Sequence, residues 1–98
     1  MNASVAIQVL PMTDDTKKVL SIVDSAIKYI KSKNLKYEVS AFETTIEGDY
    51  DQLMDIVKNV NLVAAKAGAK SVMTYVKINY QPKGKILTID HKVNKYKH

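Results

Sequence analysis

The sequence predicts an α+β fold of order β-α-β-β-α-β with a short helix appended. Three observations predict it. Residues 13–33 and the stretch between Asp49 and Gly68 carry apolar side chains at helical spacing. Four other stretches alternate in polarity or are dense in β-branched residues. Breakers separate the two kinds, at Pro11, Asn34, Gly48, Gly68 and the Gln81-Pro82-Lys83-Gly84-Lys85 turn.

The first strand covers residues 4–10. Val5, Ile7 and Val9 point one way; Ser4, Ala6, Gln8 and Leu10 point the other, and Pro11 ends the run. In the first helix Val19, Val23, Ala26, Ile27 and Ile30 form a stripe among lysines and serines. Thr13 or Asp14 is the expected N-cap, and acidic Asp14 and Asp15 suit the positive end of the helix dipole. Asn34 is the expected left-handed stop. Residues 37–42 and 44–47 read as a second and third strand joined tightly near Glu43. Asp49, with Gln52 three positions on, has the form of a capping box. The helix it opens carries Leu53, Val57, Val60, Ala64 and Ala67 on one face. Residues 71–80 form the last strand, and Ile89, Val93 and Tyr96 behind Thr88 predict the short C-terminal helix.

This order is the split βαβ arrangement of ferredoxin-like folds. Its antiparallel sheet has both main helices on one face and its first and third strands in the middle. The chain, residues 1–98, is long enough for one domain, and about two thirds of the unfolded chain's surface can be buried at this size. Alternation assigns Ala6, Gln8, Leu10, Thr45, Glu47, Met73, Tyr75 and Lys77 to the face without helices. That face is too apolar for a wet surface, which predicts a second subunit packed sheet against sheet as a homodimer or homotetramer.

Composition removes several classes of function. Without cysteine there is no disulfide, thiolate ligand or thiol nucleophile, which fits a cytoplasmic location. The N-terminus lacks a basic segment followed by an apolar run, and no apolar stretch approaches the ~20 residues that span a membrane. The net charge is +5, and all fifteen basic residues are lysine, eleven of them in the first helical region (17–36) and the C-terminal end (83–97). Base-edge readout favours arginine, so the lysines read as solvated surface and nucleic acid is not the expected partner. The three glycines are isolated, so no phosphate-binding loop is present. His91 and His98 lack the companions a zinc site needs and read as surface residues. No nucleophile elbow occurs. Neither a catalytic residue, a metal site nor a cofactor is expected.

The most informative segment is Tyr37-Glu38-Val39 followed by Thr44-Thr45-Ile46-Glu47-Gly48. Ile46 belongs to the core register, so Thr45 and Glu47 share the open face of a central strand. A carboxylate in that position requires a counterpart, and Lys77 or an amino-bearing ligand is the candidate.

These residues, with Ala67-Gly68-Ala69, Val76-Lys77-Ile78 and His91-Lys92-Val93, resemble the thiamine-binding, YkoF-like family along nearly the whole chain. The resemblance implies a ferredoxin-like fold, dimers and tetramers built through the sheets, binding of thiamine or its hydroxymethylpyrimidine precursor, and no catalytic activity. One departure is Ser40-Ala41-Phe42-Glu43, where the family commonly has small or proline-containing sequence. Thiamine's amino group suits a carboxylate such as Glu47, with Thr44, Thr45 and Gln8 completing the hydrogen bonds. Its thiazolium suits an aromatic face such as Tyr75. The expected ligand-binding residues are therefore Gln8, Thr44, Thr45, Glu47, Tyr75 and Lys77. An RNA- or nucleotide-binding module is the alternative, since related sheets bind RNA through aromatics on the open face. The third strand, Thr44-Thr45-Ile46-Glu47, lacks that aromatic pattern.

Overall fold

A computed structural model describes residues 1–96; Lys97 and His98 lie outside the described residues. The elements run β1 (Ala3–Met12), α1 (Thr16–Lys31), β2 (Tyr37–Val39), β3 (Thr44–Gly48), α2 (Tyr50–Lys66), β4 (Ser71–Tyr80) and α3 (Ile89–Val93), followed by one 3₁₀ turn at Asn94–Tyr96. The sheet order is β2-β3-β1-β4, and every neighbouring pair is antiparallel. This is the ferredoxin-like α+β architecture, with β1 and β3 in the centre as expected. No helix among the described residues is long and apolar enough to cross a membrane.

The core forms where the alternation of the strands meets the stripes of the helices. Val5 and Ile7 of β1 and Ile46 of β3 pack with Ile30 of α1 and Leu53, Ile56 and Val60 of α2. A satellite cluster of Ile22, Ala64 and Ala69 closes the far end beside Val9 and Val72. Each valine, leucine and isoleucine among these contributes about 1.5–3 kcal/mol on burial.

β1 does not stop at Pro11 but continues to Met12. A proline is tolerated in a strand where its missing N–H faces an unpaired side. The Asn2 carbonyl accepts from Gln81 N–H on the β4 side. Even-numbered peptides of β1 therefore face β4 and odd-numbered ones, Pro11 included, face β3. β3 has already ended opposite Ile7 by then.

Several caps differ from expectation. Asp15, rather than Thr13 or Asp14, caps α1 by accepting from Lys17 N–H at 3.0 Å. Asn34 takes the left-handed conformation (φ 59) that stops this region, as the sequence indicated. Asp49 sits at the N-cap of α2 without a side-chain capping bond. Asn2 performs that task instead: its Oδ1 accepts from Tyr50 N–H at 3.0 Å, tying the start of β1 to the start of α2. β2 is shorter than the expected 37–42, because Ser40 and Glu43 already belong to the turn.

Candidate functional site

The β2–β3 connection organises the candidate site. Val39 pairs with Thr44, which leaves residues 40–43 as the turn. The Ser40 N–H and hydroxyl both donate to the Glu43 carbonyl, at 2.9 and 2.8 Å. An open cleft of about 480 Å³ lies on each side of this turn. The helix-side cleft runs between Val19, Val23 and Ile27 of α1 and residues 8–12 of β1. The outer cleft lies on the sheet face opposite α1 and α2, for which the sequence predicts no helix but which α3 partly covers; it is floored by Ala6 and Thr45 and overhung by Ile89 and Val93 of α3. Ser40 and Glu43 line both.

The residues expected to bind ligand divide between these clefts. Gln8 and Thr44 line the helix-side cleft; Thr45 and Lys77 line the outer one. Tyr75 lines neither and is exposed, its hydroxyl directed at the Met73 sulfur at 3.5 Å. Glu47 also lines neither. It is 4% exposed, and its Oε2 accepts from the Ile89 N–H at 2.6 Å.

The expected pairing of Glu47 with Lys77 is not formed. Lys77 Nζ instead lies 3.0 Å from Glu43 Oε1. Register explains the exchange. Lys77 and Thr45 flank Ala6, whereas Glu47 lies opposite Ser4, one step along the sheet. Glu43 shares the parity of Thr45 and approaches the Lys77 row from the other end. Glu47 is left under α3, whose first turn is closed by Thr88 accepting from His91 N–H at 3.0 Å. A second tie to α3 is the exposed Lys36–Asp90 ion pair at 3.4 Å.

Sequence reasoning missed Glu38, Asn79, Ile89 and Val93, all of which line the outer cleft. Glu38 was findable, because a tight hairpin places it opposite Thr45. The α3 residues were not, because periodicity gives a helix but not the face on which it lands. The arrangement can hold a cation or an amino donor beside carboxylates, with apolar walls for a flat ring.

The thiamine-binding protein family matches residues 5–97 of the sequence. The chain belongs to this family. A UPF0045 protein of Clostridium perfringens is 40% identical over 94 residues, which is 96% of both chains. Among solved structures, a DUF77 domain of unknown function from Bacillus cereus is 41% identical. It superposes with a TM-score of 0.88 over 99% of this chain and 91% of its own. A Thermotoga maritima protein, described as a proposed thiamine biosynthesis/salvage protein, is 35% identical with a TM-score of 0.86, covering 99% of this chain and 100% of its own. Apart from Ser4, the residues that line both clefts and the turn between them fall within the matched span.

Proposed function

We propose that this chain binds thiamine or its hydroxymethylpyrimidine precursor reversibly and without transforming it, as a cytoplasmic carrier or sensor. The observation that carries this reading is the carboxylate of Glu43, set at a turn between two open clefts, each about 480 Å³. That volume suits a small ligand of two rings. A half-exposed carboxylate at the mouth suits the thiazolium cation, and hydrogen-bonding groups beside apolar walls suit the aminopyrimidine. Thr44 serves a ligand on the helix side and Thr45 one on the outer side, while Lys77 holds Glu43 and Gln8 is turned toward β4 and the outer face. Tyr75 contributes to the surrounding surface, and Glu47 acts through α3.

The part of the outer sheet face that α3 leaves open also supports self-association. Leu10, Met73 and Tyr75 are exposed on it beside half-buried Ala6, and a second copy packed there would cover them.

Thermal unfolding with thiamine, its phosphates and hydroxymethylpyrimidine tests the reading. A ligand at a hundred times its dissociation constant stabilises the folded state by about 2.7 kcal/mol. No shift with any of these compounds would remove the proposal.

A further inference from the structure

β1 is paired with β4 along its whole length, from Ala3↔Tyr80 to Met12↔Ser71. Its other edge is paired with β3 only from Ala3 to Ile7. From Gln8 onward that edge faces the helix-side cleft.

Two hydrogen bonds fix which peptide groups point there. The Asn2 carbonyl accepts from Gln81, so even-numbered residues of β1 face β4. Glu47 N–H donates to the Lys36 carbonyl, so odd-numbered residues of β3 face β2 and even-numbered ones face β1. Both place Ile7 opposite Thr44 as the last mutually facing pair. The next odd position is Val9. Its would-be partner, Phe42, has turned away and is 79% exposed in the turn. Among the described residues, neither β3 nor any side chain takes up the Val9 N–H and C=O. Val9 is half-buried and packs against both core clusters. A donor and an acceptor are thus presented side by side on the wall of an apolar cleft, where backbone groups are normally paired.

Pro11 decides the kind of occupant. It is the next residue facing this way, it is buried, and it has no N–H. An added peptide strand needs a repeating ladder. Here it would find Ile7 already paired, one complete position at Val9, and only a carbonyl at Pro11. A flat heterocycle needs no more than Val9 offers: one ring nitrogen to accept the N–H and one adjacent amino group to donate to the C=O. Val19, Val23 and Ile27 supply an apolar wall for the ring, and Glu43 at the turn complements a positive charge carried beyond it.

Resting on the proposed binding of thiamine or its precursor, we infer that the aminopyrimidine edge of the ligand is read by the Val9 peptide in the helix-side cleft. The ring takes the place of a single residue of the missing strand. Recognition then depends on the order of donor and acceptor. Replacing the 4-amino group by 4-oxo turns the donor into an acceptor and the neighbouring ring nitrogen into a donor, so both contacts with Val9 become repulsive.

The test is calorimetric titration with thiamine, hydroxymethylpyrimidine and the 4-oxo counterpart of each, with amide NMR of the same samples. The 4-amino compounds are expected to bind. The 4-oxo compounds should bind at least about thirtyfold more weakly, since two good hydrogen bonds are replaced by unpaired groups. The Val9 amide proton should move downfield on binding and exchange more slowly. Val23→Phe and Val19→Phe, each checked for a native spectrum, should fill the cleft and weaken binding at least tenfold. Equal affinity for the amino and oxo compounds, or an unmoved Val9 amide at saturation, would overturn this inference while leaving thiamine binding intact. Failure of thiamine and hydroxymethylpyrimidine alike to bind would remove both.

Discussion

Glu47 and Ile89 lie 42 positions apart in the chain and are joined by a 2.6 Å hydrogen bond from the Ile89 N–H to a buried carboxylate oxygen. This contact anchors α3 to the sheet face opposite α1 and α2, against the central strand β3. Both residues are below a tenth exposed, so water competes little for the bond, and hydrogen bonds to charged groups contribute about 1.5–3 kcal/mol.

Glu47→Ala should therefore release α3 and destabilise the chain by about 2–3 kcal/mol in chemical denaturation. Glu47→Gln retains an acceptor for Ile89 but leaves an amide to be accommodated, and should cost about half as much. Amide exchange at Ile89 and His91 should quicken in both variants. Native protection of those amides in Glu47→Ala would show that α3 is held by other contacts.

The tie from Asn2 to Tyr50 yields a second expectation. Tyr50 N–H is one of the orphan donors at the start of α2, and Asn2 Oδ1 is its acceptor. Asp49, at the N-cap position, makes no side-chain capping bond. Asn2→Ala should then cost about 1 kcal/mol, and Asp49→Ala distinctly less. Denaturation midpoints of the two variants decide it, and the reverse order would return the cap to Asp49.

Much of this architecture was legible in the sequence because each periodic run agrees with the burial it receives. Val5, Ile7, Ile46, Leu53 and Val60 are all core residues, as their spacing required. Pro11 misled because a proline ends a strand only when its nitrogen is needed, and the short β3 leaves that side unpaired. The candidate site was legible by parity and not by partner. Alternation put Thr45, Glu47 and Lys77 on one face, but the pairing of Lys77 with Glu43 depends on register. The burial of Glu47 depends on where α3 lands.

The sheet face opposite α1 and α2 carries an expectation about assembly. Ala6 lies at its centre between Thr45 and Lys77. If a second copy packs there, Ala6→Glu places an unpaired charge in the contact and should dissociate the oligomer while the fold persists. Sedimentation velocity of both forms checks this, and a monomeric unmodified protein would exclude the contact.

If thiamine binds as proposed, Glu43 should distinguish its two rings by charge. Its partner Lys77 is 76% exposed, and Glu43 itself 31%, so their ion pair is screened by solvent and contributes under about 1 kcal/mol to stability. Glu43→Gln should accordingly leave the denaturation midpoint almost unchanged. Its effect on binding should depend on the ligand. Thiamine carries a permanent cation, and loss of the carboxylate at the mouth should weaken it about tenfold, the scale of one charge-assisted contact. Hydroxymethylpyrimidine is neutral at pH 7 and ends before the thiazolium position, so its affinity should change less than threefold. Lys77→Ala gives the complementary result: it removes the competing cation, and thiamine should bind the same or more tightly. Parallel calorimetric titrations of the three proteins with both compounds measure these differences. Equal losses for thiamine and hydroxymethylpyrimidine in Glu43→Gln would place the carboxylate against the pyrimidine instead of the thiazolium.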